Sequence, residues 1–140
     1  MSNWVCLDAS LVVQFILNAG RESPLLSLWE AWHQPGRVLV APTLLYYEVS
    51  NALHRYVLHG DLSPEQATEA MEVALEIDLS LYGDADLHRR AMGIALQFAL
   101  PAAYNAHYLA LAERLGAELW TADQRLHQAV KDTLTWVHVV

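Results

Sequence analysis

The sequence contains one cysteine, Cys6, so no disulfide can form within the chain. That excludes the disulfide-stapled secreted scaffolds. A lone cysteine inside an apolar run reads as a small core residue in a reducing, cytoplasmic setting. Basic residues are also scarce, eight Lys and Arg against sixteen Asp and Glu, for a net charge of −8. A broad nucleic-acid-binding face needs a basic patch and is set aside, whereas an acidic site that holds cations is not. No apolar run reaches the roughly 18 residues of a membrane span before a charge interrupts it, so no membrane association is expected. The first residues lack the basic segment and small-residue cleavage site of a secretory signal. Internal repeats, low-complexity tracts and linkers are absent as well.

Several catalytic signatures are missing too. There is no G-x-x-x-x-G-K-[ST] phosphate loop, no G-x-G-x-x-G turn and no G-x-S-x-G elbow. None of the seven histidines repeats at i, i+4, so no zinc-binding helix is indicated. The five tryptophans and six tyrosines are not interleaved with basic residues as a single-strand-stacking groove requires, and read as core or interface.

What is present is a 54% apolar chain of 140 residues, long enough to bury about 68–70% of its unfolded surface in one core. Short strand-like runs alternate with helical stretches, which predicts an α/β domain with a mostly parallel sheet. "WVCL" is the first strand, followed at once by a helix from Ala9 to about Asn18 with Gly20 just beyond. "SPLLSLWEAWH" opens on Ser23 as N-cap with Pro24 at the first helical position. "VLVA" is the second strand, and Pro42 is expected to open a long helix that Gly60 stops. "SPEQ" is a capping box at Ser63–Gln66, and "IDLSLY" is a third strand. Asp84 caps a helix running to about Leu100, and Pro101 separates it from "AAYNAHYLALAERLG". "AELWTAD", a short helix at "QRLHQAV" and "LTWVHVV" complete the pattern.

Sites in parallel sheets form at the carboxyl ends of strands. Asp8 ends the first strand inside "WVCLDASLVVQFIL", and an unpaired buried carboxylate there costs several kcal/mol. Asp123 follows the fourth strand. Either residue is also explained as a helix N-cap. Glu48 lies on the flank of the apolar stripe Leu45, Val49, Ala52, Leu53 and Tyr56, with Asn51 and Arg55 along the same edge. It is either paired with Arg55, turned to water, or a ligand aimed at the sheet end. Asn105 sits in the first turn of its helix on the face shared by Leu109 and Ala112, and by itself reads as a cap. Ser10 is an early-helix residue or a hydroxyl beside Asp8. Oxygen ligands of this kind suit Mg²⁺ or Mn²⁺. Arg37, Arg55, Arg89, Arg90, Arg114 and Arg125 are either phosphate contacts or ordinary surface charges.

Taken in order, "VCLDASLVVQFIL", "VAPTLLYYEVSNAL", "YNAHYLALAERLGAELWTAD" and "QRL" resemble the PIN domain, specifically the VapC-type toxin ribonucleases. The resemblance spans nearly the whole chain and implies one PIN domain over residues 1–140. It implies a central parallel sheet of four to five strands in the order 3-2-1-4-5, surrounded by about seven helices, and a protein that is commonly a homodimer. The family's acidic quartet would fall on Asp8, on Glu48 with Asn51 in "E-x-x-N", and on Asp123 with Thr121 in "T-A-D". The third acidic position carries Asn105 instead. The resemblance implies a toxin-type endoribonuclease using Mg²⁺ or Mn²⁺, with RNA as substrate and a VapB-like antitoxin as partner, its activity attenuated by Asn105. Two other functions remain open: a catalytically silent PIN-like module that dimerises and joins an antitoxin–repressor complex, and a metal-dependent DNA nuclease.

Overall fold

A computed structural model of the chain describes residues 3–18 and 21–140. The residues at 19 and 20, including Gly20 as the expected helix stop, lie outside that description. The order of elements is β1 (Trp4–Leu7), α1 (Ala9–Leu17), α2 (Pro24–Trp32), β2 (Val38–Pro42), α3 (Leu44–Leu58), α4 (Pro64–Leu75), β3 (Leu79–Tyr82), α5 (Ala85–Gln97), α6 (Tyr104–Leu115), β4 (Glu118–Thr121), α7 (Gln124–Val130) and β5 (Val137–Val139). The five strands form one parallel sheet in the order β3-β2-β1-β4-β5. This is the α/β architecture the sequence predicted, with seven helices among the described residues.

The central strand is apolar throughout, as a strand covered on both faces must be. Val5, Cys6 and Leu7 of β1 are wholly buried, and Cys6 lies between Val40 of β2 and Leu119 of β4. The Cys6 thiol contacts the Tyr108 carbonyl oxygen at 3.8 Å, and burial pushes its pKa well above the ordinary thiol range. It is a core residue. Helix α6, buried at every position from Ala106 to Ala112 except His107, packs on β1, β2 and β4. Aromatic contacts tie the other face together. Phe15 stacks on Trp29 at 3.8 Å, and Trp32 meets Trp120 at 5.5 Å, so these tryptophans are largely packing residues.

Local signals placed most boundaries. Ser23, Ser63 and Asp84 cap their helices as expected, with the full capping box at Ser63 and Gln66. Two expectations fail for identifiable reasons. Pro42 does not open α3. It ends β2, in register with Tyr82, and the Thr43 amide still donates to the Tyr82 carbonyl at 2.9 Å, so the helix begins only at Leu44. Helix α5 stops at Gln97 rather than near Leu100, because Ala99 takes a positive φ of 50° and Pro101 disfavours helical backbone at Leu100. Gly60 and Gly116 do occupy the left-handed conformation, at φ 80° and 62°, that lets the chain leave α3 and α6.

The order of the strands fixes where a site can form. From β1 the chain moves outward through β2 to β3, then returns across the sheet to place β4 on the other side of β1. The carboxyl ends of β1 and β4 therefore flank the point where the winding reverses, the crevice in which open α/β sheets bind ligands.

Candidate active site at the β1–β4 switch point

Asp8 leaves β1 in extended conformation and caps α1, its Oδ1 accepting the Leu11 amide at 3.1 Å. The residue that caps α1 is thus the one at the carboxyl end of β1. Ser10 Oγ donates to Asp8 Oδ1 at 2.7 Å, and Thr121 Oγ1 donates to Asp8 Oδ2. Each hydroxyl also accepts a backbone amide from the exit of β4: Ser10 Oγ from Ala122 at 3.1 Å and Thr121 Oγ1 from Asp123 at 2.9 Å. The two strand ends are thus joined through a carboxylate and two hydroxyls.

Asp8 is 3% exposed and has no cationic partner among the described residues. Burial pushes its carboxyl up to about 6. The hydrogen bonds from Thr121, Ser10 and Leu11 oppose that rise, and the Asp123 charge adds to it. Neutral donors lower the cost of the buried charge without removing it.

Asp123 caps α7, its Oδ1 accepting the amides of Arg125 at 2.9 Å and Leu126 at 3.2 Å. Its other oxygen faces Asn105 Nδ2 at 3.5 Å. Asn105, half-buried in the first turn of α6, therefore does stand beside the acids and is not the cap of its own helix.

Glu48, half-buried on α3, makes no ion pair with Arg55. Its Oε1 accepts the hydroxyl of Tyr108 at 2.6 Å. Burial raises the Glu48 carboxyl above its ordinary range, against the Tyr108 hydrogen bond and the nearby His107. Tyr108 is 1% exposed, and burial together with the Glu48 charge holds its phenol protonated. The sequence reading passed over it. A tyrosine on a fully buried helix face needs a partner for its hydroxyl, and that requirement was the signal available. Asn51 is exposed and makes no side-chain hydrogen bond among the described residues. It lines a cleft of about 250 Å³ with Ser10, Glu48, Ala52 and Arg55.

The structure thus joins Asp8, Ser10, Thr121, Asp123 and Asn105 through hydrogen bonds and places Glu48 and Asn51 across the cleft from Ser10. The donor chemistry, three carboxylates and an amide with no thiol, fits a hard divalent cation. Yet among the described residues no three His, Cys, Asp or Glu side chains stand close enough together to hold an ion. Glu48 is turned to Tyr108, and position 105 offers an uncharged amide. No helix among the described residues is long and apolar enough to cross a membrane.

Comparison with known proteins identifies the family. The sequence profile of the PIN domain matches residues 5–132. Ribonuclease VapC3 of Pyrobaculum aerophilum is 33% identical over 85 residues, which span 59% of this chain and 64% of VapC3, just under two thirds of that relative. Ribonuclease VapC9 of Mycobacterium tuberculosis is 29% identical over 122 residues, 87% of each protein. Among solved structures, a toxin–antitoxin complex from Klebsiella pneumoniae contains a chain that superimposes with a TM-score of 0.65 at 17% identity, covering 96% of both chains. The chain belongs to the PIN domain family, beside the VapC ribonucleases.

Proposed function

We propose that this protein, read as one PIN domain over residues 1–140, is the toxin of a toxin–antitoxin pair and cleaves RNA as a divalent-metal-dependent endoribonuclease. The observation that carries the reading is Asp8, a buried carboxylate without a cation, set at the switch point with Asp123 alongside and Glu48 across the cleft. Clustered acids in that state call for a positive charge that the chain does not supply. Asp8, Glu48 and Asp123 are assigned as the catalytic carboxylates and, with Asn105, as the residues that hold Mg²⁺ or Mn²⁺. Such an ion supplies an activated water and stabilises charge on the phosphodiester and its leaving oxygen. The chain's own residues do the rest. Ser10 and Thr121 fix both Asp8 oxygens, Tyr108 fixes Glu48, and Asn51 lies on the rim where a substrate strand enters. An antitoxin as partner is supported by the Klebsiella complex, and a homodimer and a cytoplasmic location belong to the same reading.

Asn105 lowers the charge available to a cation by one, so metal affinity and cleavage are attenuated. The same residue, together with the lack of any grouping of three acids, favours a second reading: a silent PIN-like module that dimerises and engages an antitoxin–repressor complex. Cleavage of total RNA with Mn²⁺ by the chain itself, Asn105→Asp and Asp8→Ala separates the two. Activity that rises in Asn105→Asp and vanishes in Asp8→Ala supports the nuclease. An inert Asn105→Asp protein overturns it in favour of the module.

A further inference from the structure

The seven-residue spacing of Glu48 and Arg55 sets both on one face of α3, about 10 Å apart along the helix axis. They do not pair; the Glu48 carboxylate instead accepts the Tyr108 hydroxyl. Arg89, Arg90 and Arg114 are committed elsewhere, to Asp86, Glu113 and Asp84. Arg55 makes no ion pair or side-chain hydrogen bond among the described residues and is exposed. It also lines two adjoining clefts. One, of about 250 Å³, holds Ser10, Glu48 and Asn51. The other, of about 290 Å³, continues down α3 past Tyr56 and His59 to Asp61. Ala52 and Arg55 line both, and among the described residues Arg55 is the only Arg or Lys in either.

We infer that Arg55 is a phosphate-binding residue, which grips the RNA backbone beyond the scissile bond and leads the strand along α3 into the acidic site. A protein of net charge −8 repels a polyanion over most of its surface. An uncommitted guanidinium at the mouth of the acidic cleft supplies local attraction and a planar fork matched to phosphate oxygens. The contact positions the strand and reads no base. This inference rests on the endoribonuclease reading above.

The test compares binding of a fluorescent single-stranded RNA of mixed sequence, at several salt concentrations with Mg²⁺, in an Asp8→Asn background that holds cleavage off. The forms are that background alone and with Arg55→Gln, Arg55→Lys or, as a control on an ion-paired exposed arginine, Arg89→Gln. Arg55→Gln is expected to weaken binding about tenfold, the loss of one charged hydrogen bond. It is also expected to flatten the salt dependence by about 0.7, the value of one phosphate contact on a single strand. Arg55→Lys should restore the slope, and Arg89→Gln should change neither quantity. In cleavage by the otherwise unaltered chain, Arg55→Gln should raise KM and leave kcat unchanged. Binding and slope unchanged in Arg55→Gln, with RNA still bound and cut by the parent chain, overturns this inference and leaves the nuclease reading intact. A loss seen only with a protein partner overturns it as well. A parent chain that neither binds nor cuts RNA removes both.

Discussion

Two aspartates, Asp8 and Asp84, occupy the same local position in different corners of the molecule. Each follows a strand of the same sheet, directly at β1 and after Gly83 at β3, and each takes extended backbone before an alanine that opens a helix. Each caps that helix by accepting the amide three residues on, at 3.1 Å in both cases. There the likeness ends. Asp84 is open to solvent and bound through both oxygens to Arg114, at 2.7 and 3.0 Å, and that hydrogen-bonded pairing holds its carboxyl down at about 2. Asp8 is buried among neutral donors, next to another acid, and is pushed up to about 6. A cap by itself does not mark a site. A cap whose charge is left uncompensated is what makes Asp8 the candidate.

The two residues bear on stability in opposite senses. The folded pKa of Asp8 is raised above its unfolded value, so the protonated form is favoured on folding. That contribution is complete below the ordinary aspartate range and is lost as pH rises through about 6. The folded pKa of Asp84 is depressed. Its contribution is present above the ordinary range and lost as pH falls through about 2.

The sharpest way to break this comparison is to neutralise both. Asp8→Asn is expected to reduce RNA cleavage to background and to raise the stability of the metal-free protein at pH 7.5 by about 2–3 kcal/mol, at 1.36 kcal/mol per pKa unit. Asp84→Asn is expected to lower stability and leave cleavage alone. Denaturant unfolding of both variants measures it, and a shift in the same direction for both would sink the argument. Next in size is the response to cation. Saturating Mn²⁺ should stabilise the unaltered chain at pH 7.5, by about 2.7 kcal/mol at a hundredfold excess over Kd. It should do so less at pH 5, where Asp8 is protonated, and not at all in Asp8→Asn; thermal unfolding with and without the ion reads this directly. The smallest effect concerns Glu48. Tyr108→Phe keeps the ring in the core and removes one charged hydrogen bond, costing about 1.5 kcal/mol. Mn²⁺ affinity, measured by calorimetry, should fall about tenfold with it, as for other residues that orient a ligand. Unchanged affinity would mean that Glu48 is held without Tyr108.

Most of the fold was legible because its signals are local. Proline after serine at 23–24 and 63–64, the capping box, and glycines at 60 and 116 each act within a turn or two, and the boundaries they predicted are those observed. Where a boundary depended on a neighbouring strand, the local signal misled. Pro42 reads as a helix opener, but pairing with Tyr82 keeps it in the sheet. Within the site, Asp8, Glu48, Asn105 and Asp123 stood out as polar residues at strand exits or on inward faces. The partner of Glu48 did not, because Tyr108 lies 60 residues away and a same-helix arginine was the obvious alternative.

The sequence by itself determined the alternation of strands and helices, the caps at Asp8, Asp84 and Asp123, and the apolar run of β1. Spacing, capping and hydrophobic periodicity operate over a few residues and need no knowledge of what packs where. Only the tertiary structure decided which of those aspartates carries an uncompensated charge, which hydroxyls hold it and which arginines are ion-paired. Burial and electrostatic pairing depend on residues brought together across the chain: Thr121 reaches Asp8 over 113 positions, while Arg114 reaches Asp84 over 30.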